Sequence, residues 1–243
     1  IFSNGLAAPG SSNVKEFVTI SSTGNSIDFG DSTVKTEGYT ACSNSTRGVG
    51  AGGFDRGAGF ANTNVIDYVT IASTGDAKDF GDLIAADSFS SSFSSSVRGI
   101  WTGGYNNPSP ANNTIQYVTI STTGNAIDFG DLTASRGGGA GCSNATRGIN
   151  AGGGPITNTI DFITIASTGN AQDFGDLTSV SRATSAGLSS PTRGVFVGGG
   201  NSPAVRNIMD YITISSTGNA QDFGDTSSVC SGGQGFSNAH GGL

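Results

Sequence analysis

The sequence has little charge and few of the residues that most often carry out chemistry. Of its 243 residues only 12% are charged, and it contains one histidine, one tryptophan and three cysteines. Its 11 Lys and Arg are scattered among 18 Asp and Glu, which leaves a net charge of −7 and no basic stripe for nucleic acid. No apolar run approaches the roughly 20 residues that span a bilayer. We therefore expect neither a nucleic-acid partner nor insertion into a membrane.

What the sequence does have is repetition. The stretch NIMDYITISSTGNAQDFGD begins at Asn207, and similar sequences begin at Asn13, Asn64, Asn113 and Asn158. The copies start 45 to 51 residues apart, a period typical of repeat architectures. The 40 glycines suggest low-complexity disorder as an alternative, but disordered chains do not carry a phased apolar pattern. The repeats predict one folded domain over residues 1–243.

Each copy has the signals of four short strands. In the last copy, 208–214 is rich in β-branched and aromatic residues, and the Thr-Gly-Asn after it suits a tight hairpin into a second strand at 220–225. Upstream of this hairpin, an Arg-Gly followed by an apolar run and a Gly-Gly pair indicates another strand. A stretch of small residues before it indicates one more, so the hairpin forms the last two of four strands. Four antiparallel strands in each unit predict the blade of a β-propeller. Because each blade must bury both faces, we expect the Phe of Asp-Phe-Gly-Asp to pack between blades.

The two ends of the chain look like complementary parts of one unit. Residues 237–243 align with 43–49, and residues 1–12 align with 195–206, so the last residues begin a strand that the first residues finish. An open solenoid would instead need polar caps at its ends. We therefore predict an all-β, five-bladed propeller of four-stranded antiparallel blades. Its four continuous blades and one composite blade are 38–83, 89–132, 137–177, 183–225, and 232–243 (first strand 232–238) joined to 1–31.

The order of these features resembles the kelch repeat, whose double glycine ends the second strand of a blade. The matching glycine pairs and the aromatics of the following strand are Gly52-Gly53, Gly103-Gly104, Gly152-Gly153 and Gly198-Gly199, with Phe17, Tyr68, Tyr117, Phe162 and Tyr211. In the last strand the chain departs from that family, because Phe stands where the family usually carries Trp. The repeats are also similar to those of virion structural proteins of tailed phages, especially phages of marine bacteria. This second resemblance implies a virion protein.

Two kinds of chemistry fit parts of the repeats. The Asp-Phe-Gly-Asp acids, such as Asp28 and Asp31, offer ligands for calcium, or they cap turn amides or pair with the repeated arginines. We favour the second interpretation and predict no metal site. Glycosidases on five-bladed rings place carboxylates on inner strands, whereas the predicted inner strands here contain no acid and no histidine. We therefore expect no enzyme activity and no cofactor, and we interpret His240 as a surface or interface residue.

The three cysteines do not have the spacing of metal ligands. Cys42 and Cys142 occupy equivalent positions in copies that are not neighbours, so a disulfide between them would cross the centre of the ring. We expect Cys42, Cys142 and Cys230 to be free and mostly buried thiols, which leaves the compartment undecided.

The copies agree on one face of the predicted ring and differ on the other. The turns between the first and second strands and between the third and fourth share one face and are nearly identical. The loops after the double glycine and between blades share the other face and vary, at 32–37, 54–63, 105–112, 154–157 and 200–206. Recognition normally resides on such loops, although drift on an unselected surface is the alternative. The candidate binding residues, which no other copy shares, are Phe54, Asp55, Arg56, Phe60, Tyr105 and Asn106.

These observations predict a non-enzymatic structural or adhesive binding module of a phage virion, located in the virion or outside the cell. Its expected partners are a neighbouring virion or surface protein or a host-surface glycan, and oligomeric assembly stays open. Two alternatives remain, a cytoplasmic kelch-type adaptor that binds a protein and a lectin with one sugar pocket in each blade. Such a lectin would need ligand-contacting residues repeated in every copy, and the variable loops do not repeat.

Overall fold

The structure is a computed structural model that describes residues 1–3, 5–7, 10–106, 110–155, 157–179, 186–201, 204–233 and 235. These residues form β-strands joined by turns and loops, and none of them is in a helix. Within these ranges no helix is long and apolar enough to cross a membrane.

The strands build five main antiparallel sheets, I to V, which follow one another along the chain. Sheet I and its small hairpin comprise β1 (Phe2–Ser3), β2 (Leu6–Ala7), β3 (Gly10–Ser11), β4 (Val14–Phe17) and β5 (Ile27–Asp31). Sheet II and its hairpin comprise β6 (Thr40–Ser43), β7 (Arg47–Ala51), β8 (Phe54–Asp55), β9 (Ala61–Asn62), β10 (Val65–Thr70) and β11 (Lys78–Asp82).

The other three sheets repeat this plan. Sheet III comprises β12 (Ser91–Ser94), β13 (Arg98–Tyr105), β14 (Ala111–Thr119) and β15 (Ile127–Asp131). Sheet IV comprises β16 (Ala140–Ser143), β17 (Arg147–Ala151), β18 (Thr159–Thr164) and β19 (Gln172–Asp176). Sheet V and its hairpin comprise β20 (Ala186–Ser189), β21 (Arg193–Val197), β22 (Gly200–Asn201), β23 (Ala204–Val205), β24 (Ile208–Thr213) and β25 (Gln221–Asp225). Sheets II to V each have four strands paired in chain order, which confirms the predicted all-β fold of four-stranded antiparallel units.

The last two strands of every sheet share one irregularity. In sheet II the pairing of β10 with β11 shifts register between Ile66 and Asp67, and the other four sheets shift at the same place. Opposite the shift, Gly81 has a φ of 146°, a conformation that only glycine adopts at low cost. A Cβ on Gly81 would also stand 2.5 Å from the carbonyl carbon of Gly124 in the next sheet. The repeated glycine is therefore required both by the bulge and by the close approach of the neighbour.

Neighbouring sheets pack face to face through apolar side chains. Buried clusters join sheet II to III, III to IV, and IV to V. In the last of these, Phe174 of sheet IV lies with Ile214 and Ala220 of sheet V and is 2% exposed. The predicted packing of this aromatic between sheets is confirmed for Phe80, Phe129 and Phe174, which lie in these clusters, and Phe29 is likewise buried, with 4% exposure.

The equivalent junction between sheets V and I is missing from the described residues. Phe223, the fifth aromatic of the set, is 49% exposed because no neighbouring sheet covers it, so the prediction of burial is wrong for this copy. Sheet I has three strands instead of four. The predicted first strand at 232–238 and the end at Leu243, with His240, lie largely outside the described residues, and the described residues 232, 233 and 235 are not in a strand. The described part of the chain does not form a closed ring.

Candidate binding surface

Backbone hydrogen bonds assign the loops to two opposite ends of the sheets. At one end, which we call the constant face, a carbonyl in the turn after the first strand accepts a hydrogen bond from a backbone N–H just after the third strand. In sheet III the N–H of Ile120 donates to the carbonyl of Val97 at 2.9 Å. At the other end, the variable face, the segment that enters a sheet pairs with the loop after the double glycine. These bridges join Glu37 to Phe54, Ser88 to Tyr105, and Gly137 to Gly154. The predicted grouping of the loops is confirmed.

The repeated arginines hold neighbouring sheets together instead of pairing with the Asp-Phe-Gly-Asp acids. Arg98 lies 4.5 Å from the centre of the Tyr117 ring, and its Nη1 donates to the carbonyl of Ile165 in the next sheet at 2.7 Å. Arg47 and Arg147 make the same two contacts in their own sheets. The expected ion pairs are therefore wrong. The physical reason is distance across the sheet, because the acids are two strands away from the arginine.

The Asp-Phe-Gly-Asp acids cap their own turn where the contact is defined. Asp28 Oδ1 accepts the backbone N–H of Gly30 at 3.3 Å, and Asp222 Oδ1 accepts that of Gly224 at 3.0 Å. The capping interpretation is confirmed for these two copies. Across the described ranges no group of three or more His, Cys, Asp or Glu side chains is placed to hold a metal ion.

Sequence reasoning missed a set of buried polar side chains on the third strand of sheets II to V. Asp161 is typical, since it accepts from the backbone N–H of Thr133 at 3.1 Å and from its hydroxyl at 2.7 Å, across the junction with the preceding sheet. It also forms an ion pair of 2.6 Å with Arg136, and both side chains are at most 1% exposed. The equivalent residues in the other sheets include Asp67, Gln116 and Asp210. The available signal was a polar residue recurring inside an apolar strand, which indicates a buried hydrogen-bond partner.

Four aromatic side chains of the variable face form one continuous cluster. Phe54 stacks on Phe60 with ring centres 5.8 Å apart and meets Phe89 at 5.6 Å. Phe89 in turn meets the ring of Tyr105 edge-on at 6.4 Å. Phe60 and Phe89 are 45% and 44% exposed, so the cluster presents two half-exposed rings to solvent. We call these four residues the aromatic cluster.

An ion pair borders the aromatic cluster. Arg56 donates from Nε and Nη2 to the two carboxylate oxygens of Glu37, at 2.8 Å each, and its guanidinium lies 5.2 Å from the centre of the Phe60 ring. The hydrogen bonds from Arg56 hold the pKa of Glu37 below its usual value. The hydroxyl of Ser11 donates to the same carboxylate at 3.2 Å. Loops from sheets I and II and the segment between them are thereby tied together.

The remaining predicted residues support the cluster in different ways. Asp55 shapes the loop that carries Phe60, because its Oδ1 accepts the N–H of Gly57 at 2.8 Å and its carbonyl accepts the N–H of Phe60 at 2.9 Å. The hydroxyl of Tyr105 donates to the carbonyl of Gly154 at 3.2 Å. Asn106 is half-buried next to Tyr105, and its side chain makes no hydrogen bond to the described residues. That these residues bind a ligand stays a prediction.

The exposed rings are carried by an unusual backbone. Phe60 and Phe89 have φ values of 64° and 54°, and among the described residues they are the two with positive φ that are not glycine. A bulky residue in this region costs on the order of 1–3 kcal/mol. Gly38 and Gly138, each with φ of 67°, occupy the position of Phe89 in sheets II and IV. The fold therefore requires a left-handed backbone at this position but does not require an aromatic ring. The sequence feature that could have revealed the site is Phe89, which stands where two other copies have glycine.

A buried carboxyl lies next to the aromatic cluster in the chain. Asp87 is 3% exposed and accepts from Asn112 Nδ2 at 2.8 Å and from the N–H of Ser88 at 2.9 Å. Burial raises its pKa from 3.8 to about 6, against the opposing effect of those two hydrogen bonds. The same segment pairs through Ser88 with Tyr105. The buried carboxyl therefore accepts a hydrogen bond from the residue that precedes Phe89.

We expect Asp87 to make the protein less stable as the pH rises from about 4 to about 7. The folded state has the higher pKa, so it binds the proton more tightly than the unfolded state, and the stability this contributes is lost as the pH rises through the pKa of about 6. The full difference corresponds to about 3 kcal/mol. Urea unfolding of the wild type and Asp87→Asn across this range measures it, because the variant lacks the titration. A difference between the two proteins that stays constant with pH would contradict the expectation.

Cys142 is buried and Cys42 is half-buried, and both thiols fill space against the next sheet. A Cβ on Gly99 would stand 2.7 Å from the sulfur of Cys42, and a Cβ on Gly194 would stand 2.8 Å from that of Cys142. Burial raises the pKa of both thiols to about 12, so they stay protonated and unreactive at neutral pH. As predicted, no disulfide joins Cys42, Cys142 or Cys230.

Comparisons with known proteins bear on the fold alone. No protein-family model matches the sequence, and no curated protein matches it. Among solved structures, the chain is similar to one described as "Structure of YjhT", with a TM-score of 0.76 and 11% sequence identity. The match covers 97% of this chain and 85% of that chain. At this identity the likeness carries no information about function.

Proposed function

We propose that this chain is a non-enzymatic binding module of a phage virion, which uses the variable face to contact a neighbouring virion protein or a host-surface glycan. The proposal places the protein in the virion or outside the cell. The observation that carries it is the contrast between the faces. The constant-face turns bond to one another and to the next sheet, whereas the variable face presents the strained, half-exposed rings of the aromatic cluster.

A structural role for the buried acids supports the non-enzymatic part of the proposal. Asp67, Asp161 and Asp210 are at most 1% exposed, and each accepts a hydrogen bond from the threonine two residues after the last strand of the preceding sheet. Catalytic carboxylates must reach a substrate. These three instead join sheets, which a binding scaffold needs in order to be rigid.

The proposal includes a closed ring of five blades. At each of the four described junctions, a turn glycine donates to the carbonyl of the preceding Asp-Phe-Gly-Asp phenylalanine, at 2.6 to 2.7 Å, as Gly75 does to Phe29. Sheets V and I carry the two halves of a fifth such junction, Phe223 and Gly24. Closure would also bury Ile20, which is 66% exposed, and removing apolar surface from water is favourable. In the proposed ring the composite blade is 232–243 joined to 1–31, as the complementary sequences 237–243 and 1–12 predict.

The two alternative functions differ from the proposal in measurable ways. A lectin with one pocket in each blade needs the same contact residues in every copy, and the ring-bearing positions Phe60 and Phe89 are not repeated. A cytoplasmic kelch-type adaptor would use the same face for a host protein. It differs in its partner, which would come from the cytoplasm instead of from virions or cell surfaces.

We expect Arg56→Ala to weaken attachment of the purified chain by about fivefold or more, because arginine and aromatic anchors dominate interface energetics. The loss of its two hydrogen bonds to Glu37 also frees the loop that holds Phe60. Attachment is measured with dissociated virion proteins and with a panel of marine bacterial cells.

Thr46→Ala, a substitution of an exposed turn residue on the constant face, is the matched control and should bind as the wild type does. Tyr105→Ala is the poorer variant, since it also removes the bond to Gly154 inside the fold. Equal binding by Arg56→Ala and the wild type would contradict binding through Arg56. Loss of binding in Thr46→Ala would indicate that the constant face is the binding surface. Attachment to neither virion proteins nor cells would overturn the proposed function.

A further inference from the structure

We propose that the aromatic cluster is a platform for a neutral saccharide, whose pyranose rings stack on Phe60 and Phe89 while Arg56, Asp55 and Asn106 bond its hydroxyls. This inference rests on the proposed function and names the ligand class for its binding surface. It concerns one site made by the loops of sheets II and III, not one site in each blade.

A strained backbone presents the exposed rings. Phe89 stands where Gly38 and Gly138 satisfy the same left-handed geometry without strain. Its N–H donates to the carbonyl of Gly38 at 2.9 Å, and its carbonyl accepts the N–H of Gly138 at 2.7 Å, so the strained residue is fixed between sheets II and IV. Yet 44% of it remains in contact with water. A ring that is strained, fixed and half-exposed points to a ligand that covers it.

The exposed area of Phe60 and Phe89 is small. A phenylalanine side chain has about 200 Å² of surface, so the exposed fractions of 45% and 44% leave roughly 180 Å² on the two rings together. A standard protein interface buries about 800 Å² on each partner, of which about 450 Å² is apolar. The two exposed rings supply less than half of that apolar area. A small pair of exposed rings suits a ligand of one or two pyranose rings, and we therefore take a saccharide as the occupant of the aromatic cluster.

The surroundings of the rings are electrically neutral and offer polar atoms for hydrogen bonds. Arg56 is neutralised by Glu37, and the whole chain has a net charge of −7, which disfavours an anionic polysaccharide. Within the described residues, Arg56 Nη1, Asp55 Oδ2 and the Asn106 amide make no hydrogen bond to the protein. Fixed donors and acceptors beside an aromatic face are what orient a ligand in a mostly apolar site.

The test uses the whole chain on an array of neutral and acidic oligosaccharides, followed by calorimetric titration of the neutral oligosaccharide that binds best. We expect Phe89→Gly and Phe60→Asn to weaken that binding more than about tenfold, as loss of an aromatic anchor does. Both new residues tolerate the left-handed backbone, so melting temperatures should stay within about 4 °C of the wild type. Val97→Ala, which alters an exposed side chain on the constant face, is the control and should bind equally well.

Each outcome decides the inference. Neutral-sugar binding that is lost in the two ring variants and kept in Val97→Ala supports it. A wild type that binds no saccharide, or only acidic ones, overturns it, as does undiminished binding by Phe89→Gly and Phe60→Asn. If the sugar result is negative while Arg56→Ala still weakens attachment to virion proteins, the proposed function stands and only the ligand class is wrong.

Discussion

Phe174→Ala should lower the free energy of unfolding by about 3–5 kcal/mol, because it removes a large buried ring from between two sheets. Phe174 is 2% exposed and belongs to the apolar cluster that joins sheets IV and V. Its ring meets that of Phe162 edge-on, with ring centres 6.0 Å apart. The Phe174 carbonyl accepts the N–H of Gly218 at 2.7 Å, which ties the backbone at this position to sheet V. Urea unfolding measures the loss.

Two further variants make this measurement specific. Ile127→Ala removes an aliphatic side chain that is 58% exposed and should change stability by about 0.5 kcal/mol or less. Phe223→Ala tests the proposed ring. If sheets V and I close against each other in solution, the loss should be close to that of Phe174→Ala, whereas a loss below about 1 kcal/mol would show that the junction stays open. A small loss for Phe174→Ala itself would place this aromatic on the surface and contradict the packing described above.

Asp161→Asn should destabilise the protein by about 3–5 kcal/mol, because it leaves a buried guanidinium without its counter-charge. Arg136 and Asp161 are 1% and 0% exposed, and the Nη2 to carboxylate distance is 2.6 Å. Two other nitrogens of Arg136, Nε and Nη1, have no hydrogen-bond partner in the described part of the chain. Burial already lowers the pKa of Arg136 despite the nearby carboxylate. The substitution is isosteric, so it removes charge without opening a cavity.

The double variant Arg136→Met/Asp161→Asn separates charge from shape. It removes both charges, so it should recover about 2 kcal/mol or more of what Asp161→Asn loses. Chemical unfolding of the wild type, both single variants and the double variant completes the cycle. A loss under about 1 kcal/mol for Asp161→Asn, or no recovery in the double variant, would show that the ion pair does not stabilise this junction.

The sequence determined the local structure because each local feature has a cause within a few residues. A run rich in β-branched and aromatic residues predicted the third strand of each unit. The predicted tight hairpin at Thr-Gly-Asn is wrong, because residues 71–77 join the third and fourth strands of sheet II and Gly75 instead donates to the carbonyl of Phe29 in the preceding sheet. The double glycine after β7, at Gly52 and Gly53, has φ values of 71° and 93°, which explains why glycine recurs there. The division into a constant and a variable face also followed from the sequence, since an antiparallel strand order fixes the end at which each turn lies.

Tertiary structure alone decided which distant residues meet. Phe54, Phe60, Phe89 and Tyr105 come from separate segments of the variable face, and the pairing of Arg56 with Glu37 depends on how two loops fold over one another. Pairing with the repeated arginines was one of two roles expected for the acids, and it is wrong although the predicted strand order already places a strand between them. Only the packed structure shows that Arg98 instead donates to the carbonyl of Ile165 in the next sheet. Strand patterns and turn glycines are set by nearest neighbours in the chain. Contacts between loops and between sheets depend instead on distances across the packed blades, which no periodicity records.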